Sequence, residues 1–165
     1  MTELNSWRER PADLANLLNP AYCTILLKKM CDGFQSKPSA GMPYVLAFVG
    51  LPLVLHRTSA ELLPSTARTK LPIWLHQNPE LLFDFGARAI QLAPYIREAI
   101  SYGLSHRALH LTERGELVGA AIKGLKGWEE APPPRTAVKQ AALVGKLLAT
   151  VNDVATIFAM FGVRT

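Results

Sequence analysis

The spacing of apolar and polar residues predicts a mainly helical chain. Asn19-Pro20 is a typical helix start, because asparagine caps free N–H groups and proline has none to satisfy. Apolar side chains then recur every three to four residues, the period of one helix face. Asn78-Pro79 repeats this start, and a further helix is expected to begin at Pro94, since proline disrupts a helix interior.

An apolar run over residues 44–55 predicts a buried helix in the first half of the chain. It is expected to begin near Pro43 and to be broken or kinked at Gly50 and Pro52. A bilayer needs about 20 apolar residues in a helix, so this run is too short to span one and we expect no membrane contact.

Hydroxyl side chains predict the starts of two short helices. Thr58 stands three residues before Glu61, the spacing at which a capping threonine and an acid satisfy each other's backbone N–H groups. Thr66 or Thr69 is expected to cap the next helix, over residues 72–76.

The apolar period changes from 3.6 to 2 near residue 108, which predicts a β-hairpin. Leu109 and Leu111 alternate with other residues, a turn follows at Arg114-Gly115, and the chain returns through Leu117. Two helices followed by a hairpin are the order of a winged helix. The predicted fold is therefore mainly α with a small β-hairpin, a winged-helix-like module with helical extensions.

Proline content divides the predicted fold into three parts. Residues 1–122 form the helical, winged-helix-like core, residues 123–136 a Pro-rich linker, and residues 137–165 a C-terminal helical arm. The arm carries a broad apolar stripe that must be covered by the core, by a partner or by both. We expect its end to lie at a partner interface formed by Ile157, Phe158 and Phe161, with Arg164 at the rim.

Composition changes this picture only slightly. Apolar residues make up 49% of the chain and mean hydropathy is +0.13, so surplus apolar surface is expected to contact partners. The net charge of +5 comes from dispersed rather than clustered cations.

The N-terminal segment lacks the pattern of a signal peptide. Cys23 and Cys31, roughly 12 Å apart on one helix, are expected to be free and buried in a reducing cytoplasm.

No motif in the sequence indicates catalysis. The chain has no GxSxG, GxxxxGK[ST] or GxGxxG pattern, and its acids form no identifiable pair. His106 and His110 have the spacing of two metal ligands on a helix, but His110 lies in the alternating segment and no third ligand completes a set. We therefore expect no enzymatic activity, no cofactor and no bound metal.

Nucleic-acid binding is weighed from two groups of residues. The helix in the recognition position offers Arg97, opposed by Glu98, which is a poor set for reading bases. The cations after that helix are candidate contacts to DNA phosphates, although surface cations of this kind are more often simply solvated: Arg107, Arg114, Lys123 and Lys126.

Three segments carry a resemblance to a known family: GLPLVLHRTSAELLP from Gly50 to Pro64, NPAYCTILL from Asn19, and the terminal VATIFAMFGVRT. In this order and spacing the chain resembles the middle component of three-component ABC-ATPase conflict systems, the group that includes the small subunit of Lamassu-type antiphage defence. The resemblance covers Asn19 to Arg164. It implies a non-enzymatic cytoplasmic adaptor beside an SMC-like ABC ATPase and an effector, commonly a nuclease. The alternative is a winged-helix DNA-binding transcription regulator.

Further candidate partner contacts lie in and outside the matching segments. His56-Arg57 stand where the resemblance is densest, but Arg57 has the right spacing for an ion pair with Glu61. Both interpretations stay open. Trp74 and the run 81–83 are expected in the core, whereas Trp7 and Trp128 occupy polar, Pro-containing segments and are candidate docking residues.

Overall fold

Helices dominate the computed structural model, which describes residues 4–6, 9–35, 41–130 and 134–163. Short 3₁₀ helices occupy Tyr44–Leu46 and Pro79–Leu82. The remaining elements, in chain order, are α1 (Ala12–Leu17), α2 (Pro20–Phe34), β1 (Met42–Pro43), α3 (Ala47–Leu55), α4 (Arg57–Glu61), α5 (Leu71–Gln77), α6 (Phe85–Ser105), β2 (Leu109–Leu111), β3 (Glu116–Gly119), α7 (Leu125–Glu130), α8 (Pro134–Leu148) and α9 (Val154–Met160).

Helix α2 lies at the centre of the fold and packs most extensively on α8 and α6. Its predicted start is confirmed, since the Asn19 side chain accepts hydrogen bonds from the N–H groups of Ala21 and Tyr22. Thr24, the buried hydroxyl of α2, donates to the carbonyl of Ala99 in α6 at 2.7 Å. The apolar faces of α2, α3, α6 and α8 meet in one core.

Two prolines predicted to interrupt helices lie inside them instead. Helix α3 continues through Gly50 and Pro52, and α6 runs through Pro94 without a restart. An interior proline costs a helix about 3 kcal/mol. Both helices bury long apolar faces in the core, and continuing the helix keeps those faces in register. Burial therefore outweighs the local penalty.

The predicted hairpin is confirmed and gains a third strand. Strands β2 and β3 pair antiparallel with Leu109 opposite Gly119, and β1 pairs with the other edge of β3. The resulting order is β1-β3-β2. A two-residue strand ending in Pro43 leaves no alternating pattern to detect. The mainly α fold with a small hairpin is confirmed, and the winged-helix assignment stays a prediction.

The segment predicted as a linker is largely helical. Helix α7 covers residues 125–130, and α8 covers Pro134–Leu148. Residues 131–133 lie outside the described part. Helix α8 then buries Ala141, Val144 and Leu147 against the core.

Helix α5 begins without the threonine cap that the sequence predicted. Lys70 occupies the cap position and makes no side-chain cap bond. The N–H of Leu71 instead donates to the Thr150 hydroxyl, 3.1 Å away in the segment after α8. A residue 79 positions distant thus replaces Thr66 or Thr69, which no local pattern could indicate.

The two cysteines are free and buried in α2, as predicted. Burial disfavours the charged thiolate and raises the pKa of both Cys23 and Cys31 to about 12. None of the helices in the described ranges combines the length and the hydropathy needed to cross a membrane.

Candidate interaction surfaces

His56 caps helix α4, the role that the sequence assigned to Thr58. His56 has the extended backbone of a cap residue (φ −88°, ψ 117°), and its Nδ1 accepts from the Ser59 N–H at 3.3 Å. Thr58 lies inside the first turn, because the helix already begins at Arg57. The prediction of a Thr58 cap was therefore wrong by two positions. It considered hydroxyl acceptors, whereas here a histidine ring nitrogen accepts the backbone N–H.

Capping requires the neutral form of the His56 ring, because a protonated Nδ1 cannot accept a hydrogen bond. Burial, together with the positive charge of Arg88, lowers the pKa of His56 below its usual 6.5. The folded chain thus favours the capping form. His56 therefore binds a proton more readily in the unfolded chain than in the folded one. The stabilisation from its capping hydrogen bond is present above pH 6.5 and is lost as the pH falls below it.

Arg57 forms the ion pair that its spacing predicted. Its Nε donates to Glu61 Oε1 at 2.9 Å, and the Arg57 side chain is 91% exposed. An exposed pair of this kind contributes little to stability. The guanidinium therefore remains available to solvent and to a partner, and the docking interpretation stays a prediction.

Replacing Arg57 by alanine separates the two interpretations. We expect the free energy of unfolding to change by less than about 0.5 kcal/mol, because the ion pair is exposed. If Arg57 docks a partner, R57A weakens partner retention. Urea denaturation and quantitative pull-down measure the two effects. Glu61→Ala is the control, since it removes the same pair and keeps the guanidinium; equal retention by wild type and R57A would rule out docking through Arg57.

An open groove of about 790 Å³ lies beside α4. The segment that joins α4 to α5 forms one wall and α8 forms the other. Three exposed cations line it, namely Arg68, Lys139 and Lys146. The sequence did not indicate this groove, because its two walls are more than 70 residues apart in the chain.

A second open groove, of about 490 Å³, lies between the start of α3 and the middle of α6. Phe158 of α9 lines it, beside Phe48 and Arg97. The Arg97 guanidinium lies over the Phe48 ring, 5.7 Å from its centroid. The sequence predicted that the charge of Glu98 would oppose that of Arg97. In the structure Glu98 instead accepts two 2.8 Å hydrogen bonds from Arg10.

The end of the chain packs differently from the predicted interface. Ile157 and Phe161 are buried in this chain's own core, which covers the apolar stripe without a partner. Phe158 is also buried, but one side of it lines the second groove and so lies near the surface. Trp7 and Arg164 lie outside the described residues.

The four candidate DNA contacts are all exposed but do not form one compact patch. Arg114 lies in the turn between β2 and β3. Arg107 and Lys123 flank the opposite end of the hairpin, where the Ala120 N–H donates to the Ala108 carbonyl. Lys126 follows in α7. Phosphate contact through these residues stays a prediction.

The two histidines near the hairpin occupy separate environments. His106 Nδ1 lies 2.9 Å from the Tyr102 carbonyl oxygen. The His106 ring also stacks on the Tyr102 ring, with 3.9 Å between their centroids. His110 is exposed on β2. Among the described residues, no three His, Cys, Asp or Glu side chains come together as a metal site would require.

Several large apolar side chains are exposed that the sequence placed in the core or did not single out. Leu82 and Phe83 belong to the run predicted as core, but only Leu81 turns inward. Trp128, 39% exposed, packs its ring edge-on against Tyr22 at 6.3 Å, so its predicted docking role has surface available. The others are Leu14, Leu17, Tyr44, Ile73, Ile90 and Leu111.

Comparison with known proteins identifies the family of this chain. No curated protein and no solved structure is significantly similar to it. A family model described as "ABC-three component (ABC-3C) system Middle Component 3" matches residues 7–165. That match covers nearly the whole chain, including the helical core, the hairpin and the C-terminal helices. The chain therefore belongs to the Middle Component 3 family of ABC-three component systems.

Proposed function

We propose that this middle component is a non-catalytic adaptor that bridges or regulates the ABC ATPase and the effector of its system. Family membership carries the proposal, because it places the chain beside an ABC ATPase and a further component. The effector is proposed to be a nuclease and the setting to be antiphage defence of the Lamassu type. The ATPase is proposed to be SMC-like.

The surface of the chain supports an adaptor role. Two open grooves lie on different sets of elements, one beside α4 and α8 and one between α3 and α6. Exposed apolar side chains such as Phe83 and Ile90 add surface that protein partners commonly cover. Two separate surfaces are what a subunit needs to contact two partners at once.

The alternative of a sequence-specific DNA regulator is less well supported by α6. Arg97 lies over the Phe48 ring, and Ser101 lines the same groove. Arg97 would have to give up its contact with the Phe48 ring before it could read base edges. DNA contact, where it occurs, is proposed to be non-specific and to act through exposed cations.

Affinity purification after co-expression tests the adaptor proposal. The chain carries a tag and is expressed with the ATPase and the effector encoded beside it. We expect both subunits to be retained in fixed ratios. A DNA titration at two salt concentrations is run in parallel, because sequence-blind binding weakens steeply with salt. Retention of neither subunit, together with salt-resistant preference for one DNA sequence, would favour the regulator.

A further inference from the structure

The groove beside α4 combines an apolar floor with a basic rim. Its floor is formed by half-buried apolar residues from both walls, including Leu63 and Pro64 on one side and Ala142 and Leu143 on the other. The Gln140 side chain donates to the Ala60 carbonyl at 3.0 Å and ties the two walls together. The groove is thus a connected feature of the fold.

The charges around this groove are unbalanced. Arg68, Lys139 and Lys146 are exposed, and none of the three takes part in an ion pair with another described residue. Glu61, the one acid among the described lining residues, already binds Arg57 at 2.9 Å. The rim therefore offers a positive field that nothing within the described chain neutralises.

The two lysines have a spacing that restricts what they can contact. Lys139 and Lys146 are seven positions apart on α8, which places them on one face at a separation of roughly 10 Å. Two carboxylates one heptad apart on one face of a partner helix have a similar separation.

The floor distinguishes a protein ligand from a nucleic acid. None of the described residues that line the groove is aromatic, so bases would find no stacking platform there. Three cations are also few for a strand held by its phosphates. An acidic segment with apolar residues fits both features, because its carboxylates meet the rim and its apolar side chains cover the floor.

We propose that this groove binds an acidic, amphipathic segment of a partner subunit. The inference rests on the adaptor function and adds the chemistry of one docking surface. Carboxylates of the segment pair with Lys139 and Lys146, and Arg68 approaches from the opposite wall.

A charge-reversal experiment on the full chain tests the proposal. The double variant K139E/K146E is compared with K70E/Q77E/Q91E, which lowers the net charge by the same amount at exposed positions outside both grooves. We expect the first pair to weaken the apparent affinity for the co-expressed ATPase or effector by about tenfold or more, since attraction becomes repulsion at two contacts. The control variant should retain wild-type affinity, and circular dichroism checks that both variants fold.

Carbodiimide cross-linking of the purified complex identifies the occupant, because this reagent joins a lysine amine directly to a carboxylate. We expect cross-links from Lys139 or Lys146 to Asp or Glu of a partner subunit. Three results overturn the proposal: equal weakening by K139E/K146E and by the control variant, cross-links only between copies of this chain, or loss by K139E/K146E of binding to a 30-base-pair DNA duplex with partner retention unchanged. If the wild-type chain itself retains no partner, the adaptor function fails first, which distinguishes the two failures.

Discussion

Replacing Phe161 with alanine is expected to lower the free energy of unfolding by about 3–5 kcal/mol. Phe161 is only 2% exposed, and its ring lies 4.5 Å from that of Phe85 at the start of α6. Removing it leaves a cavity between the C-terminal segment and the core. Because large cavities close only partly, the loss includes both the burial of the ring and the contacts of its neighbours.

Phe83→Ala is the matched control for this variant. The substitution is chemically identical, but Phe83 is 76% exposed, so we expect a change within about 0.5 kcal/mol. Urea denaturation of the isolated chain measures both. A stable F161A variant that has lost its partners would contradict the packing described here and would restore the interface that the sequence predicted.

Alanine at Gly145 is expected to destabilise the chain by about 1–3 kcal/mol. A β-carbon at Gly145 would lie 2.0 Å from the carbonyl oxygen of Met30 in α2. The contact is reciprocal, since a β-carbon at Gly33 would lie 2.0 Å from the Ala142 oxygen in α8. The two backbones approach so closely that any side chain forces the helices apart.

Gly86→Ala, the same substitution at another helical position, is expected to raise the free energy of unfolding instead of lowering it. Gly86 lies in the first turn of α6, and outside that turn no described atom lies within 4 Å of the added carbon, so the higher helix propensity of alanine acts alone. We expect a stabilisation of roughly 0.5–1 kcal/mol. Midpoints of urea denaturation at an unchanged slope report both effects. A G145A variant as stable as G86A would show that α2 and α8 do not pack this closely.

Several features that depend on neighbouring residues were predictable from the sequence, although the cap of α4 was assigned to Thr58 instead of His56. The Asn19 cap uses a side chain within three positions of its donors, and the hairpin follows from alternation around Gly115. Features that depend on the whole fold were not. Pro52 and Pro94 stay helical because of the core that surrounds them. That core is formed by helices far apart in the chain, so the residues next to each proline do not indicate it.

The interaction surfaces show the same division. The apolar stripe through Phe161 predicted that something must cover it, but the stripe is equally compatible with this chain or with a partner. The basic groove was missed because Arg68 and Lys139 become neighbours only when α8 packs beside α4. Single positions such as Arg57 were correctly paired, since the partner lies one helical turn away.

The bridging role is tested most directly by the mass of the assembly that the three components form. Sedimentation velocity is recorded for the ATPase and effector mixed with and without this chain. The adaptor account predicts one species containing all three subunits when the chain is present, and separate ATPase and effector species without it. A stable ATPase–effector complex that forms equally well in its absence would contradict the account.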